Sequence, residues 1–174
     1  MNCIRRALAI GPILVLSLML ATGCNDDPVE LQPDKTADFI LKDLNGVEFQ
    51  LSNSFGKVVV LNFFNVGCST CQQQVPQMVE LHGDLHAQGL EVVGISRASE
   101  ADLKAFVDAF DIPYRVLRDD TENSRIFNYY QSFQGEPAPT PGIYVIDRKA
   151  KIRRVWFGEV VSVATLKETI QPLL

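Results

Sequence analysis

VVVLNFFNVGCSTCQQQVP, residues 58–76, runs from a buried strand through a polar turn into a helix. Val58 to Phe64 is rich in β-branched and aromatic side chains, which suits a covered strand. Asn65-Val66-Gly67 forms the turn, and Cys68-Ser69-Thr70-Cys71 opens the helix. The first helical turn holds N–H groups with no intrahelical partner. A sulfur placed there feels their partial positive charge, which favours thiolate over thiol. Cys68 is therefore expected to be the stronger nucleophile. Cys71, three residues on, shares its helix face and is close enough to close or open a disulfide with it. Such a pair carries two electrons between dithiol and disulfide.

The chain has 174 residues, 47% of them hydrophobic, which suits one domain with a real core plus a leader. The 16 basic residues fall to 14 without Arg5 and Arg6, against 21 acidic, a balance of −7. An acidic chain of this kind is not a nucleic-acid binder.

Arg5 and Arg6 form a positive start, and Ala7 to Leu20 is an apolar run of 14 residues. That run is short for a membrane span and right for a signal segment. Leu20-Ala21-Thr22-Gly23-Cys24 follows. It resembles a bacterial lipobox, with Ala21 where Leu is commonest. The resemblance implies diacylglycerol on Cys24, cleavage before it and a lipid-held N-terminus. An ordinary signal peptide with an incidental cysteine is the alternative. The expected division is a lipoprotein signal peptide at 1–23, a lipidated tether at 24–35 and a folded domain at 36–174. Cys3 is discarded and Cys24 takes lipid, so Cys68 and Cys71 remain as one pair in an exported protein. A bridge that closes so short a loop is a poor structural staple, which favours a functional role.

Further along, two alternating runs, Asp38 to Leu41 and Val47 to Leu51, flank Asn45-Gly46 and predict a hairpin. The helix from Cys68 is expected to reach about His86, interrupted by Pro76. Leu90 to Ser96 is a strand, Ser99 caps a helix over Glu100 to Phe110, and Tyr114 to Leu117 is a strand. A short helix is expected from Asp119 or Asp120 through Tyr130. Glu136 to Pro141 is a stiff Pro-rich loop. Gly142 to Ile146 and Ile152 to Phe157 form a second hairpin, and Ser162 caps a last helix, Val163 to Leu174.

This order looks like the thioredoxin fold: α/β, a central mixed sheet flanked by helices, here with an N-terminal β-hairpin extension. The chain resembles the TlpA/ResA-like branch of the AhpC/TSA-redoxin superfamily from about Ala37 to Leu174. Ala37-Asp38-Phe39, Leu41 to Gly46, Gly56 to Phe63, Cys68-x-x-Cys71 with Pro76, and Thr140-Pro141 before Tyr144 to Asp147 carry the likeness. The resemblance implies Cys68 as attacking and Cys71 as resolving cysteine. It implies Pro141 as a cis-proline facing the disulfide, with Thr140 before it, where bound substrate pairs with the backbone. From the residues alone, Pro137 and Pro139 are equal candidates; the strand after Pro141 selects it. Gly67 stands at the substrate-facing position where the family usually has Trp, and Phe64 also replaces a Trp. Asn62 and Gln74 stand where thioredoxins and ResA-like proteins, respectively, keep an acid that moves protons to and from the resolving thiol. Neither amide titrates.

Other patterns compete. Cys68, Cys71, His82 and His86 mimic a zinc-finger spacing, but His82 lies about 16 Å along the helix from Cys71, so no metal site is expected. His82 falls on the apolar stripe as a packed core residue, with His86 near the surface. A peroxiredoxin-like thiol peroxidase would need Thr and Pro where Asn65 and Leu61 stand. The basic run Arg148, Lys149, Lys151, Arg153 and Arg154 is a partner or lipid patch, or a solvated hairpin turn; the solvated turn is preferred. The expected protein is a monomeric, membrane-anchored thiol–disulfide oxidoreductase outside the cytoplasm that contributes to redox homeostasis, acting as a reductase. It would exchange Cys68–Cys71 with disulfide-containing extracytoplasmic proteins and be reset by an upstream membrane dithiol donor. No metal, nucleotide or flavin is implied. A non-catalytic redoxin-fold binding lipoprotein is the rival from another class.

Overall fold

The computed structural model describes residues 36–133 and 136–174. The expected leader and tether, with Cys3 and Cys24, lie outside the described residues. The hydrophobic run at 58–63 is a strand buried along its whole length, β3 (Val58–Phe63). It is covered on both faces because the sheet is sandwiched between two apolar layers. Val58 and Val60 face one layer, and Val59, Leu61 and Phe63 face the other.

Around β3, the strands are β1 (Ile40–Asp43), β2 (Glu48–Gln50), β4 (Leu90–Ser96), β5 (Arg115–Arg118), β8 (Gly142–Ile146) and β9 (Ile152–Phe157). They form one seven-stranded sheet in the order β2-β1-β5-β4-β3-β8-β9. β3, β4 and β5 are parallel, while β8, β9, β1 and β2 join antiparallel. The N-terminal hairpin thus extends the β5 edge. Its turn is closed by the Asp43 carboxylate, which accepts from the Asn45 and Val47 N–H groups, and by Gly46 at φ +79°. That backbone angle favours glycine.

Helices α1 (Ser69–Leu85), α2 (Glu100–Ala109) and α4 (Val163–Ile170) send buried residues into one layer. α3 (Arg125–Tyr130) and the N-terminal hairpin serve the other. Ser99 and Ser162 cap α2 and α4, each accepting from the N–H three residues on.

Four expectations need adjusting. β5 begins at Arg115, one residue later than its pattern predicted. α3 starts at Arg125, because Asn123 and Ser124 adopt positive φ and break the earlier turn. Asp119 still acts as its cap from a distance: the buried carboxylate accepts from the Phe127 N–H at 2.6 Å. The Pro-rich segment begins with a small hairpin, β6 (Ser132–Phe133) paired with β7 (Glu136–Pro137). Finally, His82 is half-buried rather than sealed in the core, its ring 4.5 Å from that of exposed His86.

Candidate active site

Cys68 ends the turn that follows β3 and serves as the N-cap of α1. It is half-buried, whereas Cys71 is fully buried among the apolar side chains of α1. The two are disulfide-bonded, with Cα atoms 5.2 Å apart. The Cys71 N–H points at Cys68 Sγ at 3.2 Å. A helix-terminal N–H aimed at a sulfur stabilises negative charge on it, so the reduced form favours thiolate at Cys68. Burial has the opposite effect on Cys71, where a thiolate would lose hydration. The turn is fixed by Cys68 N–H bonding to the Asn65 carbonyl at 3.1 Å and by the Gln72 side chain donating to the Val66 carbonyl at 2.9 Å.

Across from the sulfur lies the Thr140–Pro141 peptide, which is cis. The Thr140 carbonyl oxygen is 3.5 Å from Cys68 Sγ. Asn65 Nδ2 donates to Thr140 Oγ1 at 3.4 Å, tying the two sides together. Of the three prolines, Pro141 is the one that the structure shows after a cis bond among the described residues. Gly67 is exposed beside Cys68, and a Cβ there would meet nothing within 4 Å. The space that a larger side chain would fill is open.

One element of the site was missed from sequence. The loop Gly158–Val161 borders it, with the Gly158 N–H donating to the Pro141 carbonyl at 2.9 Å. Gly158 has φ +72°, and a Cβ there would meet Pro139 Cγ at 2.7 Å, so glycine is required twice over. Val160 on this loop is 41% exposed. The only signal available was a glycine directly after a strand.

Two buried amides stand behind the disulfide. Gln74 is wholly buried; its Nε2 donates to the Val161 carbonyl at 3.1 Å and its Oε1 accepts from the Val161 N–H at 2.6 Å. Asn62 alternates with Val58 and Val60 and so faces the layer that holds Cys71. Neither of its amide atoms has a partner at full hydrogen-bond geometry, although the amide is close enough to the Tyr114 hydroxyl to act on it. Tyr114 lies nearby with its phenol pKa raised, chiefly by burial and offset in part by the Asn62 amide. Among the described residues, no three His, Cys, Asp or Glu side chains are grouped to hold a metal. The cysteines and the histidines occupy opposite ends of α1.

A disulfide-bonded pair at a strand-to-helix junction, with a cis-proline against the half-buried sulfur, belongs to a thioredoxin-fold thiol–disulfide oxidoreductase. A profile described as the AhpC/TSA family matches residues 33–155, and the chain belongs to that family. Thiol-disulfide oxidoreductase ResA of Geobacillus thermodenitrificans is 27% identical over 166 residues, covering 91% of each chain. Thioredoxin-like protein YneN of Bacillus subtilis is 30% identical over 175 residues, covering 94% of this chain and 95% of its own. A crystal structure of a thioredoxin-family thiol:disulfide interchange protein from Chlorobium tepidum superposes with a TM-score of 0.70. It has 25% sequence identity and covers 80% of this chain and 96% of its own. The names of these relatives speak of thiol–disulfide exchange and of a thioredoxin-like protein.

Proposed function

We propose that Cys68 attacks and Cys71 resolves, in a lipid-anchored enzyme that reduces disulfides of proteins outside the cytoplasm. The Cys68 thiolate attacks one sulfur of the substrate disulfide, forming a mixed disulfide and releasing one substrate thiolate. The Cys71 thiolate then attacks Cys68 Sγ and releases the second. Two electrons pass to the substrate, and the two protons of the dithiol end on its new thiols. An external membrane dithiol runs the same steps in reverse to reset the pair. The substrate backbone is expected to lie against Thr140 and cis-Pro141, with Gly67 opposite.

The observation that carries this reading is the asymmetry of the pair: a half-buried, N–H-solvated Cys68 against a fully buried Cys71. Only one sulfur can meet a protein substrate, and it is the one whose thiolate is favoured. The anchor rests on the sequence from Arg5 to Cys24, outside the described residues. No helix among the described residues is long and apolar enough to cross a membrane. Trapping tests the roles. Cys71→Ser should accumulate mixed disulfides with substrate through Cys68, and Cys68→Ala should accumulate none. Equal trapping by Cys68→Ser through Cys71 would overturn the assignment. Loss of membrane attachment in Cys24→Ala tests the anchor.

A further inference from the structure

We propose that Gln131 is a positioning residue for the exchange reaction, gripping the cis-Pro141 loop at both ends so that it faces Cys68 in register for a bound protein chain; this rests on the disulfide-exchange reading. The side chain is an outlier. Gln131 is 5% exposed, and neither its Oε1 nor its Nε2 has a hydrogen-bond partner among the described residues. Burying an unpaired amide destabilises a fold, and an apolar side chain would serve packing better. Folds break this rule mainly at functional sites.

The contacts of Gln131 locate the demand. Its carbonyl accepts from the Ala138 N–H at 2.6 Å, just before the loop. Its side chain packs on Gly142, just after the loop: a Cβ at Gly142 would overlap Oε1 and stand 2.8 Å from Cδ. One residue thus brackets Pro139-Thr140-Pro141, and the missing side chain at 142 is what lets the amide approach. Asn65 Nδ2 and the Gly158 N–H hold Thr140 and Pro141 in turn.

The grip has a firm base. Gln131 caps the end of α3, its N–H donating to the Phe127 carbonyl at 2.9 Å. Phe127 and Tyr130 pack their rings on Phe63, with centroids 5.7 and 5.0 Å apart. Phe63 ends β3 and pairs with Gly142. The strand that leads to the disulfide therefore fixes α3, and α3 fixes the proline loop. A substrate chain that pairs with the Thr140 backbone must bring its sulfur to Cys68, and a misplacement of about 1 Å can cost about a hundredfold in rate.

Two probes separate the roles in the full chain. Insulin is a protein disulfide, reduced with dithiothreitol as electron donor. Dithionitrobenzoate is a small disulfide that needs no backbone pairing, followed in a single turnover of the pre-reduced chain. Gln131→Ala should lower kcat/KM for insulin about tenfold and the dithionitrobenzoate rate by less than about twofold. Gly142→Ala should do the same, because its Cβ pushes the amide or the loop aside. Joined in one chain, the two substitutions should restore much of the insulin activity, since the new methyl takes the vacated space. Where Gln131→Ala fails to fold, Gln131→Asn shortens the grip by one methylene and is judged by the same result. Insulin activity at the wild-type level in both single variants overturns the positioning role. So does an equal loss on both disulfides, or a double variant with the product of the two single losses. A wild-type chain that reduces neither disulfide overturns the exchange reading itself.

Discussion

Gln74 and Asn62 are both amides sealed in the layer that covers the disulfide, yet their surroundings differ completely. Gln74 uses its donor and its acceptor on the two backbone groups of one residue, Val161. Asn62 uses neither. By resemblance, thioredoxins keep an acid at the Asn62 position and ResA-like proteins keep one at the Gln74 position, each serving the resolving thiol. Here one has become a clamp between α1 and the loop bordering the site. The other has become a buried polar group that faces the Tyr114 hydroxyl without reaching full hydrogen-bond geometry. Residues at equivalent positions therefore need separate explanations, decided by hydrogen-bond geometry.

The largest expected effect follows from the clamp. Gln74→Glu places a carboxylate against the Val161 carbonyl, where only a donor fits. An uncompensated buried charge of this kind costs about 3–5 kcal/mol at neutral pH. The carboxyl would hold its proton in the folded state, raising its pKa above the unfolded value of about 4.3. The variant should be most stable below that value and lose stability as pH rises through the folded pKa. Denaturation midpoints at acid and neutral pH measure this. A midpoint unchanged from wild type at neutral pH would break the contrast.

Asn62→Asp comes next. Buried without a partner, the new carboxyl should also titrate high, costing about 2–3 kcal/mol at neutral pH. It should add a pH-dependent step to the Cys71 exchange rate that the wild type lacks. Asn62→Leu, by contrast, removes the amide and keeps its branched shape at a larger volume, so it should cost only the overpacking of about 1–3 kcal/mol and show no pH dependence. A loss as large as that for Gln74→Ala, expected at about 2–4 kcal/mol, would mean that Asn62 bonds the Tyr114 hydroxyl as firmly as Gln74 bonds Val161.

The smallest effect concerns His82, a half-buried ring whose Nδ1 also lacks a partner. Burial, followed by the neighbouring His86, pushes its pKa below the ordinary 6.5. The unfolded chain then binds the proton more readily. Stability from this group is present above 6.5 and falls as pH drops toward the folded pKa. His82→Phe should flatten that part of the stability profile.

What the sequence made legible was local. The run at Val58–Phe63, the Cys-x-x-Cys helix start, the Asn45-Gly46 turn and the Ser caps each follow from neighbours in the chain. The family likeness pointed to Pro141 among three prolines. The Gln74 clamp was not legible, because its partner is 87 residues away and a buried Gln looks like any other helix residue. The same holds for Asp119, which caps α3 across eight residues while positive φ at Asn123 and Ser124 delays the helix. His82 fitted an apolar stripe, but a helical wheel does not show that the stripe ends at a surface pocket shared with His86 and Tyr114.

The central assignment is a two-electron couple at Cys68–Cys71, and its reduction potential is the direct test. The protein would be equilibrated with defined thiol buffers and its free thiols counted. A single two-electron transition near the thioredoxin value of about −270 mV is the expected result for a reductase. A value near −120 mV would reverse the proposed direction. A pair that neither forms a disulfide nor exchanges with the buffer would contradict the assignment itself.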